Sequence, residues 1–276
     1  MVESRRLKIL MNFYCSLSRV LPLLVASSLC TVPAAAQEGE RGRALRLIAV
    51  GQGPPWEEKI VGGVRVQQDP PAGSEPPVKV QLTNKEGTEV GEAVTINLDQ
   101  ISQVLPVGPG SVPLHETGKG GLNPVAWHTL KFPTNAAAGL AILWRDPAVG
   151  KWTKARSLVL PDDIRSFPAG RVRIVNVSKY TIGLQLGTEK GSLKPGAAIL
   201  RSGKGGVFAK VPLKLSLKSK SGRWVKVFDQ EINQSARERT NVILYAADGE
   251  GAVKPVGAVI LRESGRTPVV PKKRKR

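Results

Sequence analysis

The sequence predicts an all-β protein that consists of two tandem, related β-sandwich modules of the Ig-like type. Short segments in which apolar and polar residues alternate follow one another, and turns rich in glycine and proline separate them. No segment keeps the period of an amphipathic helix over several turns. A closing hairpin also recurs at a constant offset of 101 residues, which indicates that one module repeats the other.

Residues 1–36 have the features of a signal peptide, which takes no part in the fold. Basic residues stand near its start, Val20–Val32 is a short apolar core, and Ala34–Ala36 provides the small residues of a peptidase site. The apolar core is too short to span a membrane. We therefore expect export to the periplasm, the cell envelope or the extracellular space. Met1 and Met11 remain alternative starts, and the general and twin-arginine routes remain alternative pathways.

The charge and the cysteines restrict the possible partners. Both cysteines, Cys15 and Cys30, lie in the leader, so we expect no disulfide, no thiolate metal site and no cofactor. The chain carries a net charge of +19, and +16 remains without the leader, which has four basic residues and one acid. This charge favours an anionic cell-envelope polymer or a membrane surface, with other envelope proteins as a further class and no specific nucleic acid. The alternative is a surface whose charge serves solubility alone.

The first module is expected at residues 44–164. It opens with a strand at Leu45–Val50, and Lys59–Val66 predicts a hairpin whose two-residue turn is Gly62-Gly63. Residues 69–77 are rich in proline and predict an extended connection. The remaining predicted strands of this module include Val78–Leu82, Val94–Leu98, Val125–Phe132, Leu140–Trp144 and Arg156–Leu160.

The second module is expected at residues 167–263. Val172 and Ile174, with Val177, alternate with polar residues, which predicts a half-buried opening strand. Val211–Lys218 and Arg223–Phe228 predict a hairpin. The polar segment Gln230–Thr240 predicts a loop or a single helical turn.

The two predicted modules share residues at fixed spacings. Leu45–Val50 matches Val172–Val177 at an offset of 127 residues, whereas Ile142 matches Ile243 at an offset of 101. The difference of 26 implies extra residues in the first module, and we expect them at residues 51–77 because loops tolerate insertion. The alternative is that unrelated β-hairpins look alike.

The boundary between the modules carries a resemblance to other proteins. Phe167-Pro-Ala-Gly170 precedes the opening strand, the strand ends in Asn176, and a Leu-x-Pro-Gly turn follows at Leu193–Gly196. This arrangement resembles exported β-sandwich proteins of Verrucomicrobia-like bacteria, for which no activity is known. The resemblance therefore implies export and a sandwich fold, and it brings no site residues with it.

Residues suited to catalysis are few. His115 is expected in a loop and His128 in a strand, both at the surface or at a sheet edge, and neither has a partner at zinc-ligand spacing. The neighbouring carboxylates Glu57-Glu58 and Asp162-Asp163 would point to opposite sides of a strand and are expected to be solvated loop residues. No nucleophile elbow or phosphate-binding glycine loop occurs. We therefore expect no enzyme, no catalytic residue and no metal site.

Two kinds of residue could still contact a ligand. The glycine turns Lys119–Gly121 and Lys204–Gly206 each place a lysine in a flexible loop. Exposed aromatic residues on a sandwich could stack on sugar rings, but the repeat, in which Trp144 matches Tyr245, favours packing in the core. The aromatic residues considered are Trp56, Trp127, Trp144, Trp152, Tyr180, Trp224 and Tyr245.

Residues 264–276 are expected to form a disordered basic tail. Its charges would attract anionic polymers, an effect that salt weakens, and its basic residues are the one tentative polymer-binding site. The alternative is a solubilising end. The basic residues of the tail are Lys272, Lys273, Arg274, Lys275 and Arg276.

These observations lead to two hypotheses about function. The first is an exported, non-enzymatic binding or scaffolding protein of the envelope or extracellular space, whose basic surface meets anionic polymers. The second is a secreted hydrolase that acts on polysaccharide, or a carbohydrate-binding protein. The hydrolase would depend on Glu57, Glu58, Asp162 and Asp163 and on the tryptophans.

Overall fold

The regular secondary structure of the described chain consists of β-strands. The computed structural model describes residues 43–55, 57–83, 91–108, 110–118, 121–202, 208–219, 221–247 and 252–270. Within these ranges there is no helix, so the all-β class is confirmed. In the same ranges, no helix has the length and apolar character needed to cross a membrane.

Eighteen strands lie in these ranges. Those of the first half are β1 (Arg43–Ala49), β2 (Glu58–Val61), β3 (Val64–Gln67), β4 (Lys79–Leu82), β5 (Val94–Thr95), β6 (Leu105–Val107), β7 (Ser111–Gly118), β8 (Gly121–Lys131), β9 (Ala138–Arg145) and β10 (Ala155–Pro161). Those of the second half are β11 (Arg171–Asn176), β12 (Ile182–Leu186), β13 (Glu189–Leu193), β14 (Ala198–Ser202), β15 (Ala209–Lys218), β16 (Trp224–Gln234), β17 (Glu238–Ala246) and β18 (Val256–Ser264).

Each half contains two four-stranded sheets. In the first half the orders are β10-β9-β1-β6 and β5-β4-β7-β8, and in the second half they are β18-β17-β11-β14 and β13-β12-β15-β16. The opening strand runs parallel to its long neighbour in both halves, β1 to β9 and β11 to β17. The other pairings of these four sheets are antiparallel. The two halves therefore have the same strand order and the same strand directions.

The pairing register also agrees between the halves. Ile48 of β1 lies opposite Ile142 of β9, and Val175 of β11 lies opposite Ile243 of β17. The last hairpin pairs Leu158 with Ile142 in the first half, and it pairs Val259 with Ile243 in the second. These pairs keep the sequence offsets of 127 and 101 residues.

The strands that have no counterpart form one hairpin. β2 and β3 make a separate two-stranded sheet, joined by Gly62 and Gly63 with φ values of 59° and 83°. Both glycines are in the left-handed region that a type I′ turn requires, as predicted for this hairpin. Residues 50–78 separate β1 from β4, whereas residues 177–181 alone separate β11 from β12. The extra length of the first half thus lies in the segment where it was expected.

Each half has a core between its two sheets. In the first half, Leu45 and Leu47 of β1 share a core with Leu114 and Leu130 of β7 and β8. In the second half, Val172 and Ile174 of β11 share a core with leucines of β12 and β15. Burying side chains of this size contributes about 1.5–3 kcal/mol each.

A third core joins the two halves. Ile48 and Ile142 of the first half pack with Val175 and Ile243 of the second, on the opposite faces of β1, β9, β11 and β17 from the other cores. The four-stranded sheets therefore lie in four layers, in which the β1 and β11 sheets face each other. The expectation of a half-buried opening strand is wrong, because β11 is buried on both faces, and Val177 belongs to the third core and not with Val172 and Ile174.

The end of β16 and the start of β17 correct another expectation. The polar segment Gln230–Thr240 forms strand residues on both sides of a short turn, and not a loop or a helical turn. Beyond β18, the Ile164 amide donates to Thr267 Oγ1 at 2.9 Å, so the beginning of the expected tail contacts the first half. All described residues belong to one compact unit, and residues 1–36 lie outside them.

Candidate functional site

A buried ionic network lies between the two central sheets. The Asp162 side chain, just after β10, is fully buried and accepts hydrogen bonds from arginines of three strands. Arg46 of β1 donates to Oδ2 at 2.5 Å, and Arg173 of β11 donates to Oδ1 at 3.0 Å. Arg46 and Arg173 are equivalent positions of the two opening strands, because they differ by the offset of 127 residues.

A second carboxylate extends the network. Glu263 of β18 accepts from both terminal nitrogens of Arg46, one of them at 3.1 Å. Asn241 links Glu263 to Arg173, since its Nδ2 donates to Glu263 at 3.2 Å and its Oδ1 accepts from Arg173 Nε at 2.8 Å. Asp162 and Glu263 differ by the offset of 101 residues. Like the arginines, these two carboxylates therefore occupy equivalent positions of the two halves.

A third arginine leaves the network with one positive charge in excess. Arg239, whose side chain is 1% exposed, donates to the Asp162 backbone carbonyl at 2.8 Å and contacts its Oδ2 at 3.4 Å. The ring of Phe167 lies under two guanidinium groups, with Arg173 Cζ at 4.2 Å and Arg239 Cζ at 5.2 Å from its centroid. The negative face of this ring offsets part of the excess charge.

The network holds its charges by mutual compensation. Burial lowers the pKa of Arg173 and of Arg239. At Arg46 burial acts in the same direction, but the hydrogen bond with Glu263 and the charges of Asp162 and Glu263 outweigh it and raise the pKa. Because Asp162 is enclosed, it cannot reach a substrate, and the expectation that it is a solvated loop residue is wrong.

The other proposed carboxylates have separate places. Asp163 Oδ1 accepts from the amides of Arg165 and Ser166 at 3.0 Å, so it closes a turn before the second half. Glu57 is exposed, and Glu58 on β2 is exposed and lies 3.7 Å from Arg65 of β3. Asp163, Glu57 and Glu58 make no hydrogen bond with the network, and the charge of Asp163 has only a minor effect on the pKa of Arg239.

The two histidines take part in local contacts. His115 lies in β7 and is buried, with Nε2 at 3.2 Å from Thr83 Oγ1, so the expectation of a surface loop is wrong. His128 of β8 is half-buried, its Nε2 lies 2.8 Å from Ser157 Oγ, and burial lowers its pKa. In the described ranges, no group of three or more potential ligands could hold a metal ion.

Most of the aromatic residues are core residues, as the repeat favoured. Trp152 is 1% exposed, and Trp127 packs beside it and donates to its carbonyl at 2.7 Å. Trp144 and Tyr245 pack against the third core, and Tyr180 against the second-half core. Trp224 differs from them because it is 48% exposed. Trp56 lies outside the described residues.

Trp224 belongs to a lysine-rich surface, which we call the basic face. It is the solvent side of the β13-β12-β15-β16 sheet. Leu213, Leu215 and Leu217 of β15 point into the core, so the residues between them point outward. The outward, exposed lysines of the basic face are Lys190, Lys210, Lys214, Lys218 and Lys226.

The lysines of β15 form a row along the strand. Lys210, Lys214 and Lys218 recur at every fourth residue, which spaces their Cα atoms by about 13 Å. Two carboxylates of β16 neutralise part of this charge, since Lys226 lies 2.7 Å from Asp229 and Lys210 lies 4.0 Å from Glu231. The hydrogen bond from Lys226 lowers the pKa of Asp229, and the positive charges of Lys214 and Lys226 add to this effect. Lys218 forms no ion pair within 4.0 Å with a carboxylate of the described ranges.

Trp224 closes one end of this row. It lies opposite Lys218 across the β15–β16 pair, and Lys218 Nζ is 5.6 Å from its ring centroid. A Cβ at Gly183 of β12 would lie 2.9, 3.0 and 3.3 Å from Cζ3, Cε3 and Cη2 of Trp224. Three consecutive ring atoms at nearly equal distances mean that the ring covers Gly183 with its face and not with its edge.

The sequence pointed to other positions for polymer binding. These positions, which lie outside the described residues, are Lys272–Arg276 and the lysines of the turns Lys119–Gly121 and Lys204–Gly206. The alternation of lysine with apolar residues in Val211–Lys218 predicts a strand, and the lysines at its outward positions are the sequence signal for the basic face. Comparison of the sequence with known protein families and with curated proteins finds no match.

Proposed function

We propose that the chain is an exported, non-enzymatic binding or scaffolding protein, built from two tandem Ig-like β-sandwich modules, that holds anionic polymers of the cell envelope on its basic face. The lysine row of β15 carries this proposal. Three cations on one rigid strand bind a linear polyanion without the loss of conformational freedom that a flexible tail would undergo on binding.

A comparison between the halves supports a function for these lysines. β7 has the same place in its sheet as β15, but its sequence, Ser111–Gly118, contains no lysine. A sandwich of this type therefore does not need the lysine row for folding. The matching strand orders and registers of the halves support the tandem-module part of the proposal.

The test is retention on an anionic polymer by the purified chain, residues 37–276, at low and high salt. Reversal of charge at Lys210, Lys214 and Lys218, each to Glu, should abolish retention, and added salt should weaken the retention of the parent protein because it screens exposed charges. The matched control reverses three exposed lysines of the first half, Lys59, Lys79 and Lys151, and should retain most of the binding.

A third variant separates the basic face from the tail. Removal of Lys272–Arg276 should reduce retention by less than the triple reversal does. Equal losses for the basic-face variant and its first-half control would mean that net charge alone acts, and would contradict the proposal. No retention of the parent protein at low salt would also contradict it.

A further inference from the structure

The exposed tryptophan of the basic face, Trp224, indicates which class of anionic polymer binds there. A row of lysines alone would accept any polyanion, whereas an aromatic ring adds a flat apolar surface. Among the aromatic residues of the described ranges that the sequence singled out, Trp224 is the one that no core explains. Its position at the end of the lysine row places the apolar surface beside a cation.

The orientation of the ring fits a stacking platform. One face of the Trp224 ring rests on Gly183, where any side chain would collide with it. Covering a glycine in a sheet fixes the ring flat against the strands. Because the residue is 48% exposed, part of the ring remains accessible to a ligand, beside the Lys218 ammonium group that lies over the ring.

We infer that the polymer is an anionic glycan, one of whose sugar rings stacks on Trp224 while its acidic groups meet Lys218 and the lysines beyond it. This rests on the proposed function and names the class of ligand for the same site. The C–H groups on one face of a sugar ring form an apolar surface that matches the indole. A carboxylate, phosphate or sulfate on that sugar then lies within reach of Lys218, which is already 5.6 Å from the ring centroid.

The distances along β15 fit an extended chain. Successive outward lysines are about 13 Å apart, so a linear glycan that lies along the strand meets a cation at intervals of a few sugars. Polymers that have acidic groups but no rings, such as polyglutamate, would use the lysines without the tryptophan. Single-stranded nucleic acid could also stack on the ring. The other exposed aromatic residue beside this sheet, Phe208, directly precedes β15 and lies about 33 Å along the strand from Lys218, too far to stack on a neighbouring base.

The experiment compares two probes, polygalacturonate and polyglutamate, on the chain of residues 37–276. Trp224→Ala should weaken binding to polygalacturonate by about tenfold and leave binding to polyglutamate unchanged. Trp224→Phe, which keeps a flat ring, should recover part of the loss. Gly183→Ala, which forces the ring away from the sheet, should reproduce the effect of Trp224→Ala. Thermal unfolding of each variant shows whether the fold is kept.

The outcomes separate this inference from the proposed function. Trp224→Ala could weaken binding to both probes equally, or to neither, while reversal of the β15 lysines abolishes binding to both. In that case the glycan inference fails and the proposed role of the basic face is kept. If reversal of the lysines has no effect on either probe, the proposed function fails. The protein could instead bind oligo-dT more tightly than polygalacturonate at equal salt, with the same sensitivity to Trp224→Ala. That result would assign the stacking platform to nucleic acid and contradict the inference of a glycan.

Discussion

Arg46 and Arg173 donate to opposite oxygens of one buried carboxylate, that of Asp162. The two arginines occupy equivalent positions on the opening strands of the two halves, and these strands belong to sheets that face each other. One carboxylate therefore links both halves through their equivalent strands. The network fixes how the central sheets meet, since its hydrogen bonds have direction, whereas the surrounding apolar contacts do not.

Loss of the Asp162 charge should destabilise the protein strongly. Asp162→Asn leaves three buried arginines with a single carboxylate, Glu263, and points amide hydrogens at guanidinium groups. Breaking a buried ionic network of this kind costs about 3–5 kcal/mol of unfolding free energy. Denaturation in guanidinium chloride measures the change.

The neighbouring residue provides the matched control for that variant. Asp163→Asn keeps the oxygen that accepts from the amides of Arg165 and Ser166, so it should change the unfolding free energy by less than about 0.5 kcal/mol. Similar losses for the two substitutions would show that Asp162 does not carry the network.

Equivalent residues of the third core should contribute equally to stability. Ile142 and Ile243 are both fully buried, and they lie opposite Ile48 and Val175 in the same register. Ile142→Ala and Ile243→Ala should each lower the unfolding free energy by about 2–5 kcal/mol. Ile60→Ala on the β2–β3 hairpin, where the side chain is 74% exposed, should have almost no effect. A large loss at one of the two core positions and none at the other would contradict their equivalence.

Asp99 should make stability depend on pH. Burial of its carboxyl group raises the pKa to about 6, from an ordinary value of 3.8. Loss of the proton is then harder in the folded protein than in the unfolded chain, so this group lowers stability as the pH rises from about 4 to about 6. The same residue has a φ of 61°, a conformation that asparagine also tolerates.

Asp99→Asn should therefore leave stability unchanged near pH 3.5 and raise it above pH 6. The gain should stay below about 1 kcal/mol, because the residue as a whole is exposed and solvent screens its charge. Melting temperatures of the parent and the variant between pH 3.5 and 7.5 measure this. Asp69→Asn, in an exposed loop, is the control. A difference between parent and variant that does not change with pH would contradict the assignment.

The strands could be predicted from sequence to a large extent. Alternation located β4, β8 and β15, and Gly62-Gly63 located the β2–β3 hairpin, because local geometry decides which residues share a face of a strand. The offset of 101 residues likewise appears in the pairing of both closing hairpins. The sequence also indicated that most tryptophans are core residues, with Trp224 as the exception that required the structure.

The burial of the charged residues was decided by the tertiary structure. Arg46 and Arg173 alternate with apolar residues, a pattern that in sequence indicates a solvent face, and Asp162 sits in a polar segment typical of a loop. Whether an arginine can be buried depends on a carboxylate that meets it in space, and Arg46 is 116 residues from Asp162. By itself the sequence determined where strands form and which sides alternate. Only the packing of the two central sheets decided that both sides of β1 and β11 are buried, because charge compensation over such distances leaves no local pattern.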